Sequence, residues 1–112
     1  MNVHSYITSS GKDLILEYIQ SLSKLEIIDG LSVIKYFENC EFEKIRIKPW
    51  QGQIWEAYFF KHNRIFYVFY KGSDIYILHA CRKQKNKTSK KDSDIIIKRA
   101  KELSSILKDR IL

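Results

Sequence analysis

Proline occurs once and glycine four times in 112 residues, and neither is gathered into a stretch long enough to act as a linker. The chain therefore reads as one domain, residues 1–112. Cysteine is equally scarce: Cys40 and Cys81 are the two, with no Cys-x-x-Cys pair and no metal-ligand spacing. This predicts buried, reduced thiols and neither a bound metal nor a cofactor. No apolar run approaches the length of a membrane span, and Met1 to Ser10 lacks the basic and apolar regions of a signal peptide. A cytoplasmic protein with no membrane partner is expected. Clustered carboxylates are missing as well, since Glu56 and Asp74 stand alone in the C-terminal half before the last helix. That pattern disfavours a two-metal nuclease.

Acid is absent altogether from Arg82 to Lys91, a segment with six cations. Residues 1–53 carry six Lys/Arg against seven Asp/Glu, whereas residues 54–112 carry fourteen against six. The net charge of +7 is thus a property of the C-terminal half, and it points to a polyanionic partner. Hydrophobic residues make up 45% of the chain and fifteen are aromatic, enough for a packed core.

Ile15, Tyr18, Ile19 and Leu22 recur at helical spacing after Ser9-Ser10-Gly11, which predicts a helix over 12–22. A second helical pattern runs through Ile27, Leu31, Ile34 and Glu38, with Gly30 inside it. Val3 to Thr8 reads as an edge strand and Lys44 to Lys48 as a weakly signalled one ending near Pro49 and Gly52. Ile54–Phe60, Arg64–Tyr70 and Ile75–His79 form a meander joined by short polar turns. The middle strand is apolar on both faces, so it should be central. Ile96, Ala100, Leu103, Leu107 and Ile111 trace a last helix from Lys90, with Thr88 or Ser89 as N-cap and Asp92 in its first turn. The expected fold is α+β: two N-terminal helices packed on a twisted antiparallel sheet of about four strands, with a C-terminal helix.

Trp55-Glu56, Arg64-Ile65-Phe66-Tyr67, Leu78-His79 and the run Arg82 to Lys91 stand in an order that resembles phage-derived Gp49-like proteins, HigB-type toxins of the RelE/ParE superfamily. The resemblance covers residues 54–100 well and residues 1–53 in element order. Two positions depart from the family pattern. Tyr58 stands where the pattern has arginine, and Ser89 where it has proline. What the resemblance implies is a metal-independent mRNA interferase acting on ribosome-bound message to inhibit translation. Its implied partner is a small helix-turn-helix antitoxin, HigA-like, for which Ile95 and Ile97 on the last helix offer a docking surface.

Metal-free RNA cleavage needs a base for the ribose 2′-OH, cations for the phosphorane and an acid for the leaving oxygen. Arg64, which carries over from the family's Tyr-Arg-Ile position, and Arg82 are the expected phosphate clamp, because guanidinium binds phosphate bidentately. Lys83 is a further catalytic candidate, and Lys61, Lys85 and Lys87 are candidates for backbone contacts. His79 has an unperturbed pKa near neutrality. Trp55, Tyr58, Tyr70 and Tyr76 are candidates for base stacking, with core packing the stronger reading for Trp55. Each has a structural alternative: a strand-end cap for Arg64, a solvated loop for Arg82 and the lysines, a hydrogen-bonded strand histidine for His79. Two other functions remain open, a nucleic-acid- or ribosome-binding module without catalysis and a ParE-like toxin directed at DNA gyrase.

Overall fold

A computed structural model describes residues 1–83 and 87–112; Lys85, one of the expected backbone-contact residues, lies outside the described set. The chain order is β1 (Asn2–Ser5), α1 (Leu14–Gln20), α2 (Lys24–Glu38), a single 3₁₀ turn, β2 (Arg46–Gln51), β3 (Ile54–Phe59), β4 (Asn63–Tyr70), β5 (Asp74–Arg82) and α3 (Lys90–Leu107). The five strands form one sheet in the order β1-β5-β4-β3-β2. Strands β2 to β5 are an antiparallel meander, and β1 pairs with β5 in parallel. The sheet is therefore mixed and five-stranded, against an expectation of about four antiparallel strands. No helix among the described residues is long and apolar enough to cross a membrane.

Local chemistry sets the helix starts. Asp13 caps α1 by accepting hydrogen bonds from the Ile15 and Leu16 amides. In α2, Ser23 and Glu26 form the reciprocal Ser-x-x-Glu arrangement, with the Ser23 hydroxyl 2.8 Å from the Glu26 carboxylate. Ser89 caps α3 through the Asp92 amide. Gly30 is required by packing. A Cβ there would lie 2.9 Å from the Phe59 ring, so the absent side chain is what lets α2 sit tightly on β3.

The helices occupy opposite faces of the sheet. Ile15, Ile19, Val33 and Phe37 of α1 and α2 pack on Ala57, Phe59, Ile65, Tyr67 and Ile77. Ile96, Ala100 and Leu103 of α3 pack on Ile54, Phe66, Val68 and Leu78. β4 is central and buried on both faces, as its two apolar alternations require. A bulge in β5 opposite Phe66 and Tyr67 brings Leu78 and His79 both toward α3. α3 stops at Leu107, capped by left-handed Lys108, one turn short of the expected stripe. Ile111 is nevertheless fully buried, because the tail folds back and its carbonyl accepts from the Gln53 amide. Cys81 is buried as expected, but Cys40 is exposed just past the α2 terminus, where the chain turns outward with positive φ.

Candidate nucleic-acid interface

Strand register assembles a row of side chains that no sequence window contains. Arg46 of β2 faces Tyr58 of β3, Tyr58 faces Arg64 of β4, and Arg64 faces Cys81 of β5. Two residues along, Lys48 faces Glu56 and Glu56 faces Phe66. Alternation puts both rows on the α3 face. The Tyr58 ring lies between two guanidiniums, 3.8 Å from Arg64 and 4.7 Å from Arg46.

Beneath this row is a buried carboxylate with two cations. Glu56 is fully buried; its Oε1 accepts from Lys83 Nζ at 3.1 Å and lies 3.5 Å from Arg64 Nε. Arg64 Nη1 also donates to the Lys61 and Asn63 carbonyls. Glu56 Oε2 and Arg64 Nε have no hydrogen-bond partner among the described residues. Arg46, Lys48 and Lys87 are exposed at the rim. The loop leading to α3 is tied to β2 where Trp50 Nε1 donates to the Thr88 hydroxyl.

Arg82 is not part of this cluster. Its neighbour across the ladder is Asn63, one residue out of phase with Arg64, so it faces α2 and pairs with Glu26 at 2.7 Å. There Asn63 donates to Glu26 and accepts from the Tyr18 hydroxyl. Hydrogen bonds from Asn63 and Ser23, and the Arg82 charge, hold the Glu26 carboxyl below its usual range. Burial pushes the Tyr18 hydroxyl up to about 12. The expected Arg64–Arg82 clamp is therefore divided by the sheet.

The model of the phage-derived Gp49-like protein family matches residues 17–101, from inside α1 to inside α3. The chain belongs to that family. The match takes in all four antiparallel strands and leaves out β1. No curated protein matches the chain.

In this Gp49-like protein the other expected site residues fall in several places. His79 is locked: its Nδ1 accepts from Arg99 at 3.3 Å, which leaves the proton on Nε2, donated to Asp92 at 2.8 Å. Burial, opposed by the Asp92 hydrogen bond, holds the imidazole pKa below its ordinary value, so the ring is neutral near pH 7 and ties α3 to β5. His79, Cys81 and Asp92 present ligand-type atoms within 4.8 Å of one another. A metal on Nε2 would need the proton on Nδ1, facing the Arg99 donor, and the Cys81 thiol is pushed up to about 12, first by burial. The donor set therefore does not fit a metal.

Tyr70 lies roughly 20 Å along the strand from Arg64, and Tyr76, paired with Val68, roughly 13 Å. Tyr70 donates to Asp109, and Tyr76 stacks on His4 at 4.6 Å, so neither joins Tyr58. Lys61 is exposed in the β3–β4 turn. Trp55 is 36% exposed and lines an apolar hollow of about 260 Å³ with Phe42, Ile47, Tyr67 and Phe69, on the face opposite Tyr58. Ile95 and Ile97 are half-buried. Sequence reasoning missed Arg46 and the role of Glu56. The charge alternation of β2 was visible, but which residue of β3 it would meet was not.

Proposed function

We propose that this protein is the toxin of a type II toxin–antitoxin pair and that it acts on messenger RNA through the α3 face of β2, β3 and β4. One observation carries the reading: a single carboxylate, Glu56, is held by buried Arg64 and Lys83, with exposed Lys48 across the ladder from it and exposed Arg46 across the ladder from the neighbouring half-buried Tyr58. Four cations against one acid, two exposed on β2 and two buried beside Glu56, suit a phosphodiester backbone. In metal-independent cleavage the 2′-OH attacks the adjacent phosphorus and the P–O5′ bond breaks. Fixed cations stabilise the charge that builds on the phosphorane oxygens. Arg64 and Lys83 are preorganised for that role by Glu56 and the Lys61 and Asn63 carbonyls. The expected partner is a small antitoxin that covers the same cations, with the half-buried Ile95 and Ile97 as the apolar part of its footprint. The cytoplasm is where such a pair would act.

The second reading is RNA or ribosome binding without cleavage. It is favoured by the state of His79, held neutral between Asp92 and Arg99, and by Lys83, tied to Glu56. Neither is a free proton donor or acceptor. Induced expression with mapping of mRNA 5′ ends separates the two. Wild type should arrest growth and create discrete new ends, and Lys83→Met and Arg64→Gln should abolish both, while folded Arg82→Ala keeps them. Arrest without new ends would favour ribosome blocking or a gyrase target, and no arrest would defeat the toxin reading.

A further inference from the structure

Arg46 stands apart from the other cations of the interface. Arg64 and Lys83 are buried against Glu56, whereas Arg46 is exposed and has no acidic partner among the described residues. Its guanidinium is nevertheless placed, because it lies over the Tyr58 ring at 4.7 Å. The same ring lies 3.8 Å from Arg64, on the strand at the other side of β3, and the Arg64 Nη1 is held by two backbone carbonyls. A guanidinium that stacks through its face keeps its N–H edges available for an anion.

Resting on the RNA-directed reading above, we propose that Arg46 binds a backbone phosphate of single-stranded RNA, with Tyr58 as the positioning residue that sets its guanidinium. The order of the row supports this division of labour. Arg64 is the anchored charge, Tyr58 transmits its position across β3, and Arg46 presents the outward edge on the exposed strand β2. Lys48, two residues along the same face and also exposed, extends the cationic edge in the strand direction. An arginine bracing the sheet edge would have no such requirement for free N–H groups. Among the described residues no hydrogen bond or ion pair takes up the Arg46 N–H groups, and its contact is with the Tyr58 ring, so they are free for an anion.

The test is fluorescence anisotropy of a short labelled single-stranded RNA, titrated at several salt concentrations against folded variants of the full chain. Arg46→Ala should weaken binding by roughly tenfold and lower the salt slope by about 0.7, the loss of one single-strand phosphate contact. Tyr58→Leu should weaken binding by a few-fold with the slope unchanged, since the charge remains but is no longer placed. Tyr58→Phe, which keeps the ring, should behave as wild type. If Arg46→Ala matches wild type in affinity and slope while Lys83→Met weakens binding, the Arg46 assignment is overturned and the RNA reading stands. If Tyr58→Leu and Tyr58→Phe are equally impaired, Tyr58 acts through its hydroxyl and the positioning role is overturned. If wild type binds no RNA, both readings fail together.

Discussion

Two ion clusters lie back to back across β4, and they are built differently. On the α2 side Glu26 meets Arg82 and accepts from Asn63 and Ser23, while Tyr18 donates to Asn63. One acid balances one cation there. On the α3 side Glu56 meets both Arg64 and Lys83, with a carboxylate oxygen and a guanidinium nitrogen unpartnered among the described residues. Balanced charges with complete hydrogen bonding serve to fasten one element to another. A cation excess next to an open strand surface is costly unless an anion arrives, and such sites bind. The same two residue classes thus make a balanced fastening on one face and, on the other, the cation-rich and incompletely bonded cluster on which the proposed RNA contact rests.

The comparison can be broken most forcefully at Glu56. Glu56→Ala leaves two buried cations without their carboxylate and should cost about 3–5 kcal/mol, lowering the melting midpoint by on the order of 15 °C. A loss below about 1 kcal/mol would mean that water already reaches the cluster. Glu26→Ala should cost clearly less, because the Arg82 side chain is 45% exposed and can return to solvent. If chemical denaturation gave equal losses for the two substitutions, the asymmetry between the faces would be gone.

Acid sharpens the contrast by a smaller step, through His79. Its pKa in the folded protein lies below the ordinary 6.5, chiefly because it is buried. As pH falls the unfolded chain therefore takes up the proton first. The stabilisation is complete above about 6.5 and is lost as pH drops through that value toward the folded pKa. Asp92, whose own burial is outweighed by hydrogen bonds from His79 and Ser89, sits below the carboxylate range and adds a loss of the same sign only in stronger acid. Melting midpoints at about pH 7.5 and 5.5 should differ for wild type and converge for His79→Gln. The smallest effect belongs to Arg46→Ala, which should leave stability within about 0.5 kcal/mol while weakening RNA binding. A large fall in its melting midpoint would instead make Arg46 a brace for the sheet.

Much of this was legible in the sequence where chemistry is local. Ser89 and Asp92 announce the start of α3, and the doubly apolar Arg64–Tyr70 run announces a central strand. What register decides was not legible. Arg64 and Arg82 read as a pair because both are arginines near the ends of adjacent strands, but Asn63↔Arg82 pairing puts them one residue out of phase and on opposite faces. Glu56 looked solitary because its two partners lie 8 and 27 residues away. His79 read as a catalytic candidate beside a hydrogen-bonded structural alternative, and the structure bears out the alternative; the bulge that turns it toward Asp92 and Arg99 leaves no mark in the amino-acid pattern. β1 was visible as a strand, but its parallel seat beside β5 is set by packing at the sheet edge.

The most direct measurement is photo-crosslinking of the folded protein to a single-stranded RNA carrying 4-thiouridine, with the modified residues located by mass spectrometry. Crosslinks concentrated on β2 and β3 around Arg46, Lys48 and Tyr58, and near Lys87, are the predicted result. Crosslinks on the α1 and α2 face around Arg82 and Tyr18, or none at all, would contradict an RNA-binding surface on the α3 side of the sheet.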